Sequence, residues 1–217
     1  MKRFLKAGRL LVAGALAAVC ASLGLAAPAQ AAIPGVGWYM LVNDYYDGGS
    51  GHDDGVKWCL STNADQSPAG SGTHKVYLAK CNVSTPAQWW YLRTASGFDT
   101  NRKLVNYQNF GGEVWELSSN STTPSGWAAN TYPGYTAQQS SAAGHIWSAI
   151  EYTEPYKFRF QNLHSGSMLS ASHNNPYSGG VFKVYTAGWQ IPVPPAHLWR
   201  FWQPAGRPSC SPCGALA

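Results

Sequence analysis

The sequence predicts an all-β fold, about twelve short strands arranged as three similar units. Three observations carry that expectation. Beyond residue 31 no segment sustains 3.6-residue apolar periodicity with caps, while short β-branched or aromatic runs bounded by Gly, Pro, Asn and Ser recur. The Leu-Ser steps Leu60-Ser61, Leu117-Ser118 and Leu169-Ser170 are each followed, 30 residues after the Leu, by Trp90, Trp147 and Trp199. Finally, 45% of the 217 residues are apolar and only 12% charged, with 10 Trp, 12 Tyr and 7 Phe, a composition that excludes a disordered polar chain and a coiled coil.

Along the chain, a basic start (Lys2, Arg3, Lys6, Arg9) leads into an apolar stretch over residues 10–27 and the small-x-small pattern Ala29-Gln30-Ala31. Residues 1–31 are therefore expected to be a secretory signal peptide, and the mature protein to be extracellular with no membrane span. Residues 32–203 carry the three units, and 204–217 form a Pro-, Gly- and Cys-containing tail. Each unit opens on a strand ending in Asn: Tyr39 to Asn43, Lys103 to Asn106, and Phe158 to Asn162. The Asn to Leu gap is 17, 11 and 7 residues, so length variation falls at one place, a surface loop. Further strands are expected at Lys75 to Leu78, Trp89 to Leu92, Val181 to Tyr185 and Leu198 to Trp202. Two positions before each repeated Trp stands Gln88, His145 or His197, a polar group expected to satisfy the indole N–H. The three Trp rings themselves are expected in the core. Three such units fit either a three-bladed array or a closed threefold barrel, and closure removes exposed strand edges.

Removal of the signal segment takes the basic count from 15 to 11 against 10 acidic residues, and those left are scattered singly. No basic stripe for nucleic acid exists. Four cysteines remain, Cys59, Cys81, Cys210 and Cys213; in an exported chain they read as disulfides before metal ligands. A Cys59 to Cys81 bridge would close a loop of about 22 residues, on the order of 3 kcal/mol in the chain-entropy model. Cys210 and Cys213 lie close enough for a local bridge, and a link to another chain is the alternative.

Cys59-Leu60, Gly72-Thr73-x-x-Val76-x-Leu78, Cys81 and Gln88-x-Trp90 resemble the first repeat of ricin B-type lectins, and Asn162-Leu163-His164-Ser165-Gly166-Ser167-Met168-Leu169 resembles the same family's Asn-x-x-Ser-Gly-x-x-Leu step. The resemblance covers roughly residues 38–203, is weakest in the second unit, and implies a β-trefoil that binds a glycan or polysaccharide without catalysis. Sugar-binding members offer an Asp after the Cys-Leu step, a stacking ring, and an Asn before Gln-x-Trp. This chain has Ser61, Ser118 and Ser170 at the Asp position, and in the first unit Ala79 and Ala87 at the ring and Asn positions. A neutral hydroxyl lacks the bidentate grip of a carboxylate. Tyr185 aligns with the stacking position of the third unit, with Lys183 beside it facing Ser170, so Ser170, Lys183 and Tyr185 form the candidate carbohydrate site. Uniform loss of the Asp supports an alternative, a trefoil that docks a secreted protein partner.

Aromatics in Gly- and Pro-rich stretches (Tyr45, Tyr46, Trp127, Tyr132, Tyr135, Trp189) suit either recognition or small satellite cores. The acidic loop Asn43 to Gly55 does not match Ca²⁺-loop spacing and reads as a solvated turn. Asn82 and Asn120 head glycosylation sequons. Nucleophile-elbow, paired-His zinc and phosphate-loop motifs are absent, and the remaining enzymatic option, a glycosidase pair among Glu113, Glu116, Glu151 and Glu154, has no spacing to support it. The expectation is a non-enzyme without cofactor or metal.

Overall fold

The computed structural model describes residues 33–46, 56–66, 72–95, 97, 99–108, 114–119, 132–133, 135–152, 156–177 and 180–208. Within these, the short aromatic and β-branched runs form thirteen strands: β1 (Gly37–Asn43), β2 (Trp58–Gln66), β3 (Thr73–Lys80), β4 (Trp90–Thr94), β5 (Asn101–Asn106), β6 (Trp115–Ser118), β7 (Tyr132–Pro133), β8 (Tyr135–Gln138), β9 (Trp147–Glu151), β10 (Phe158–Asn162), β11 (Met168–Tyr177), β12 (Val181–Ala187) and β13 (Trp199–Trp202). Single turns of 3₁₀ helix occupy Pro86–Gln88, Ala143–His145 and Pro195–His197, just before β4, β9 and β13. Residues 1–31, expected to be a signal peptide, and the Cys210 and Cys213 pair lie outside the described residues.

All strand pairs are antiparallel. β1, β4, β5, β9, β10 and β13 pair in that order, and β13 returns to β1, closing a ring. Closure leaves no free edge in this layer. The hairpins β2/β3, β6/β8 and β11/β12 stand on the ring and meet one another through β3–β8 and β3–β12. Alternation along β3 and β10 sends every second side chain inward, as a half-buried strand requires.

The centre is filled by Trp90, Trp147 and Trp199 with Leu60, Leu117 and Leu169, all fully buried. Each ring removes roughly 200 Å² from water, on the order of 5 kcal/mol. The 30-residue spacing has a direct cause: the indole Nε1 of Trp90, Trp147 and Trp199 donates to the carbonyl of Leu60, Leu117 and Leu169 at 2.9, 2.9 and 3.0 Å. This corrects the expectation that Gln88, His145 and His197 serve the indoles. Those residues sit in the 3₁₀ turns, and Gln88 instead accepts from the Asn82 N–H (2.7 Å) and donates to the Lys80 carbonyl (3.0 Å).

The three Asn residues that end β1, β5 and β10 are buried and bind the turn of a different unit. Asn43 Nδ2 donates to the carbonyls of Ala196 and Leu198 (3.0 and 3.3 Å), Asn106 to those of Ala87 and Trp89 (2.9 and 3.4 Å), and Asn162 to that of Gly144 (2.8 Å). Their Oδ1 atoms accept backbone N–H groups two residues on, from Tyr45, Gln108 and His164. The backbone repeats the link, since the N–H groups of Asp44, Tyr107 and Leu163 donate to Leu198, Trp89 and Ile146 at 2.8, 2.9 and 2.8 Å. The buried amide of each of these three Asn residues is thus satisfied, as low-dielectric burial demands.

The residue before each Leu is buried and differs in chemistry. Cys59 is disulfide-bonded to Cys81 with a Cα separation of 5.0 Å, as the sequence allowed. Met168 is an ordinary core residue. Glu116 is fully buried and lies 2.9 Å from Arg93 Nη2, 3.1 Å from Lys103 Nζ and 3.1 Å from His145 Nδ1. Burial pushes its pKa up, but hydrogen bonds from His145 and Lys103 and the charges of Lys103 and Arg93 outweigh burial and hold it below the ordinary carboxylate range.

Candidate functional site

Each Ser of a Leu-Ser step has a Tyr as its cross-strand partner: Ser61 opposite Tyr77, Ser118 opposite Tyr135 and Ser170 opposite Tyr185. The first unit therefore does not lack its ring. Ala79, the residue expected there, is opposite Cys59, and the ring position belongs to Tyr77. A signal was present in Lys75-Val76-Tyr77, which matches Lys183-Val184-Tyr185 residue for residue.

Lys183 is not opposite Ser170. Its cross-strand partner is Tyr77 of β3, while Tyr185 lies two residues along the same strand. Cross-strand partners and i, i+2 neighbours share a face, so Tyr77, Lys183 and Tyr185 form one continuous surface across two hairpins. All three are half-buried, and the Tyr77 hydroxyl donates to the Thr62 carbonyl at 3.3 Å, which fixes the ring. Two phenol rings on one face, with Lys183 in register beside them, offer stacking for the C–H face of a sugar and a positive charge close by.

The serines contribute differently from expectation. Ser61, Ser118 and Ser170 are 1%, 4% and 0% exposed, so none presents a hydroxyl to solvent. Ser118 Oγ donates to the Gly144 carbonyl at 3.3 Å, whereas Ser170 Oγ and the neighbouring Thr186 Oγ1 are buried with no hydrogen-bond partner among the described residues. Of the candidate trio, the structure leaves Lys183 and Tyr185 on the surface and closes over Ser170.

The other candidates separate clearly. Glu116 is committed to its cations and faces no solvent, which removes it from any glycosidase pair; Glu151 is half-buried, and Glu113 and Glu154 lie outside the described residues. The start of the acidic loop is not solvated: Asn43 and Asp44 are buried, and Asp44 pairs with Lys157 (2.9 Å) and Arg200. Asp47, His52, Asp53 and Asp54, the Asn120 sequon and Trp127 lie outside the described residues, while Asn82 is exposed. Tyr45 packs on the core, and Trp189 is half-buried under Arg159. His197 is pushed down to about 4, first by burial and then by the charge of Arg159. Among the described residues no group of three His, Cys, Asp or Glu is placed to hold a metal ion, and no helix is long and apolar enough to cross a membrane.

No family model matches the chain, and no curated protein does. Solved structures resemble its fold. The designed 3-fold symmetric protein ThreeFoil is 16% identical with a TM-score of 0.54, covering 77% of this chain and 99% of its own. A mosquitocidal holotoxin gives 14% identity and a TM-score of 0.58 over 79% of this chain, and an exo-β-1,3-galactanase from Clostridium thermocellum gives 15% and 0.54 over 80%. The match spans 18% of the holotoxin and 31% of the galactanase, less than a third of either. A Polyporus squamosus lectin, solved with a human-type influenza-binding epitope, gives 14% and 0.51 over 78% of this chain and 50% of its own. These neighbours include β-trefoil proteins, and at such identities the likeness is one of fold.

Proposed function

We propose that the chain is a secreted, non-catalytic β-trefoil of three internal repeats that binds glycans through the face formed by Tyr77, Lys183 and Tyr185. The recurrence of the Leu carbonyl to Trp indole bond and of the Asn contacts in three places supports the threefold reading. The observation that carries the function is the continuous Tyr-Lys-Tyr surface spanning β3 and β12. Fold neighbours that include a lectin are compatible with it. The sugar contacts differ from those the ricin B resemblance implies, because ring stacking and one ammonium replace a carboxylate grip.

The test is a broad glycan array probed with the oxidised chain, residues 32–217, and with Tyr77→Ala/Tyr185→Ala. Binding that free sugar competes away, and that the double variant loses while keeping its near-UV circular dichroism, is the expected result. A second reading, docking of a secreted protein, is favoured by one observation, the burial of Ser61, Ser118 and Ser170. A blank array from folded protein selects it.

A further inference from the structure

Arg159 is the second residue of β10, between Phe158 and Phe160, both buried in the core, so its side chain leaves the barrel on the outer face. There the guanidinium carbon lies 4.1 Å from the centroid of the Trp189 ring and 5.9 Å from that of Tyr152. Its Nε is buried without a hydrogen-bond partner, and among the described residues the guanidinium makes no hydrogen bond or ion pair. Arg93 and Lys103 close on Glu116, and Lys157 and Arg200 on Asp44. Glu151 is on the neighbouring strand, one position from Ile150, the cross-strand partner of Arg159, and does not pair with it. His197 is neutral near pH 7 and adds no competing positive charge.

Aromatic stacking holds a guanidinium in place but uses none of its donors. An Arg fork that is partly desolvated, oriented and unpaired is matched by a planar anion able to accept two parallel N–H bonds. We propose that Arg159, held by Trp189 and flanked by Tyr152, binds the carboxylate of an acidic saccharide, a uronic or sialic acid residue of a glycan. The choice of a saccharide over an acidic peptide rests on the glycan-binding reading above and on the two rings beside the fork, which offer surfaces to sugar C–H groups. The site is separate from the Tyr77, Lys183 and Tyr185 face, because it is built on the ring strand β10 and the segment after β12.

The test is calorimetric titration of residues 32–217 with the methyl glycosides of glucuronic acid and N-acetylneuraminic acid, against neutral methyl glucoside and a Glu-containing tripeptide. The expected result is binding of at least one acidic glycoside, weakened about tenfold or more in Arg159→Gln and only partly restored in Arg159→Lys, which keeps the charge without the fork. Trp189→Ala, with a fold check by circular dichroism, is expected to weaken the same glycoside. Failure of both acidic glycosides to bind, or binding that Arg159→Gln leaves unchanged, overturns the proposal. Equal or tighter binding of the tripeptide overturns the saccharide assignment. Array binding that Arg159→Gln preserves and Tyr77→Ala/Tyr185→Ala abolishes leaves the glycan reading standing while this inference falls.

Discussion

Replacing His197 with Gln, the residue at the matching position of the first unit, tests how this fold tolerates acid. The folded-state pKa of His197 is pushed down to about 4 from an ordinary value of 6.5, so between those values the unfolded chain binds a proton that the folded chain refuses. Stability is complete above pH 6.5, falls as the pH drops toward 4, and levels off below it. At 1.36 kcal/mol per pKa unit the full loss is about 3 kcal/mol, of which about 2 kcal/mol is gone by pH 4.5. Gln carries no proton, so His197→Gln removes that slope whatever it does to stability at pH 7. Urea unfolding of both proteins at pH 7.0, 5.5 and 4.5 reads the effect as a difference of differences. Glu116 is common to both proteins and cancels in the difference. The wild type is expected to lose about 2 kcal/mol more than the variant between pH 7.0 and 4.5; parallel curves would refute the argument that burial beside Arg159 keeps this imidazole neutral.

Glu116→Gln strands Lys103 and Arg93 against a neutral amide and should cost about 3 kcal/mol at neutral pH. Because the carboxyl is held below its unfolded value, that difference is present above the ordinary carboxylate range and shrinks as the pH falls through the depressed value, which urea titrations at several pH values will show. Cys59→Ala opens the 22-residue loop to Cys81 and is expected to lose on the order of 3 kcal/mol relative to the oxidised protein; the loss should vanish when both are compared under reducing conditions. Gly144→Ala places a Cβ 2.6 Å from the Ser119 carbonyl oxygen, a backbone atom that cannot step aside, so a cost of roughly 1–3 kcal/mol and a lower thermal midpoint are expected although the matching turns carry Ala87 and Ala196.

The Leu to Trp spacing was legible because it records one hydrogen bond made inside each unit, while the varying Asn to Leu gap of 17, 11 and 7 residues lies outside the span it measures. The recurring Asn was equally visible, but its partner was not: each side chain reaches a turn in a different unit, and spacing within one unit cannot show that. The ring of the first unit was expected at Ala79, but the register of β2 with β3, which shifts between Thr62 and Gln66, sets Ala79 opposite Cys59 and Tyr77 opposite Ser61. Aligning the Lys-Val-Tyr triplets instead would have found Tyr77. Nothing in the sequence marked Glu116 as buried, since its partners Arg93, Lys103 and His145 come from β4, β5 and a 3₁₀ turn brought together only by the fold.

The pairing of β13 with β1 sets when the barrel can close during synthesis. Met40 meets Trp202 and Asn43 meets Trp199, so the earliest strand of the barrel waits, one edge open, for the latest. Until residues 196–202 have emerged, Asn43 has neither of its carbonyls and the core lacks the third of its repeated indoles. A contact across 153 positions closes late and closes everything at once. A growing chain therefore carries three finished hairpins and an aromatic-rich gap that only β13 can fill, and truncation before β13 leaves an open, adhesive sheet in place of a slightly shorter barrel.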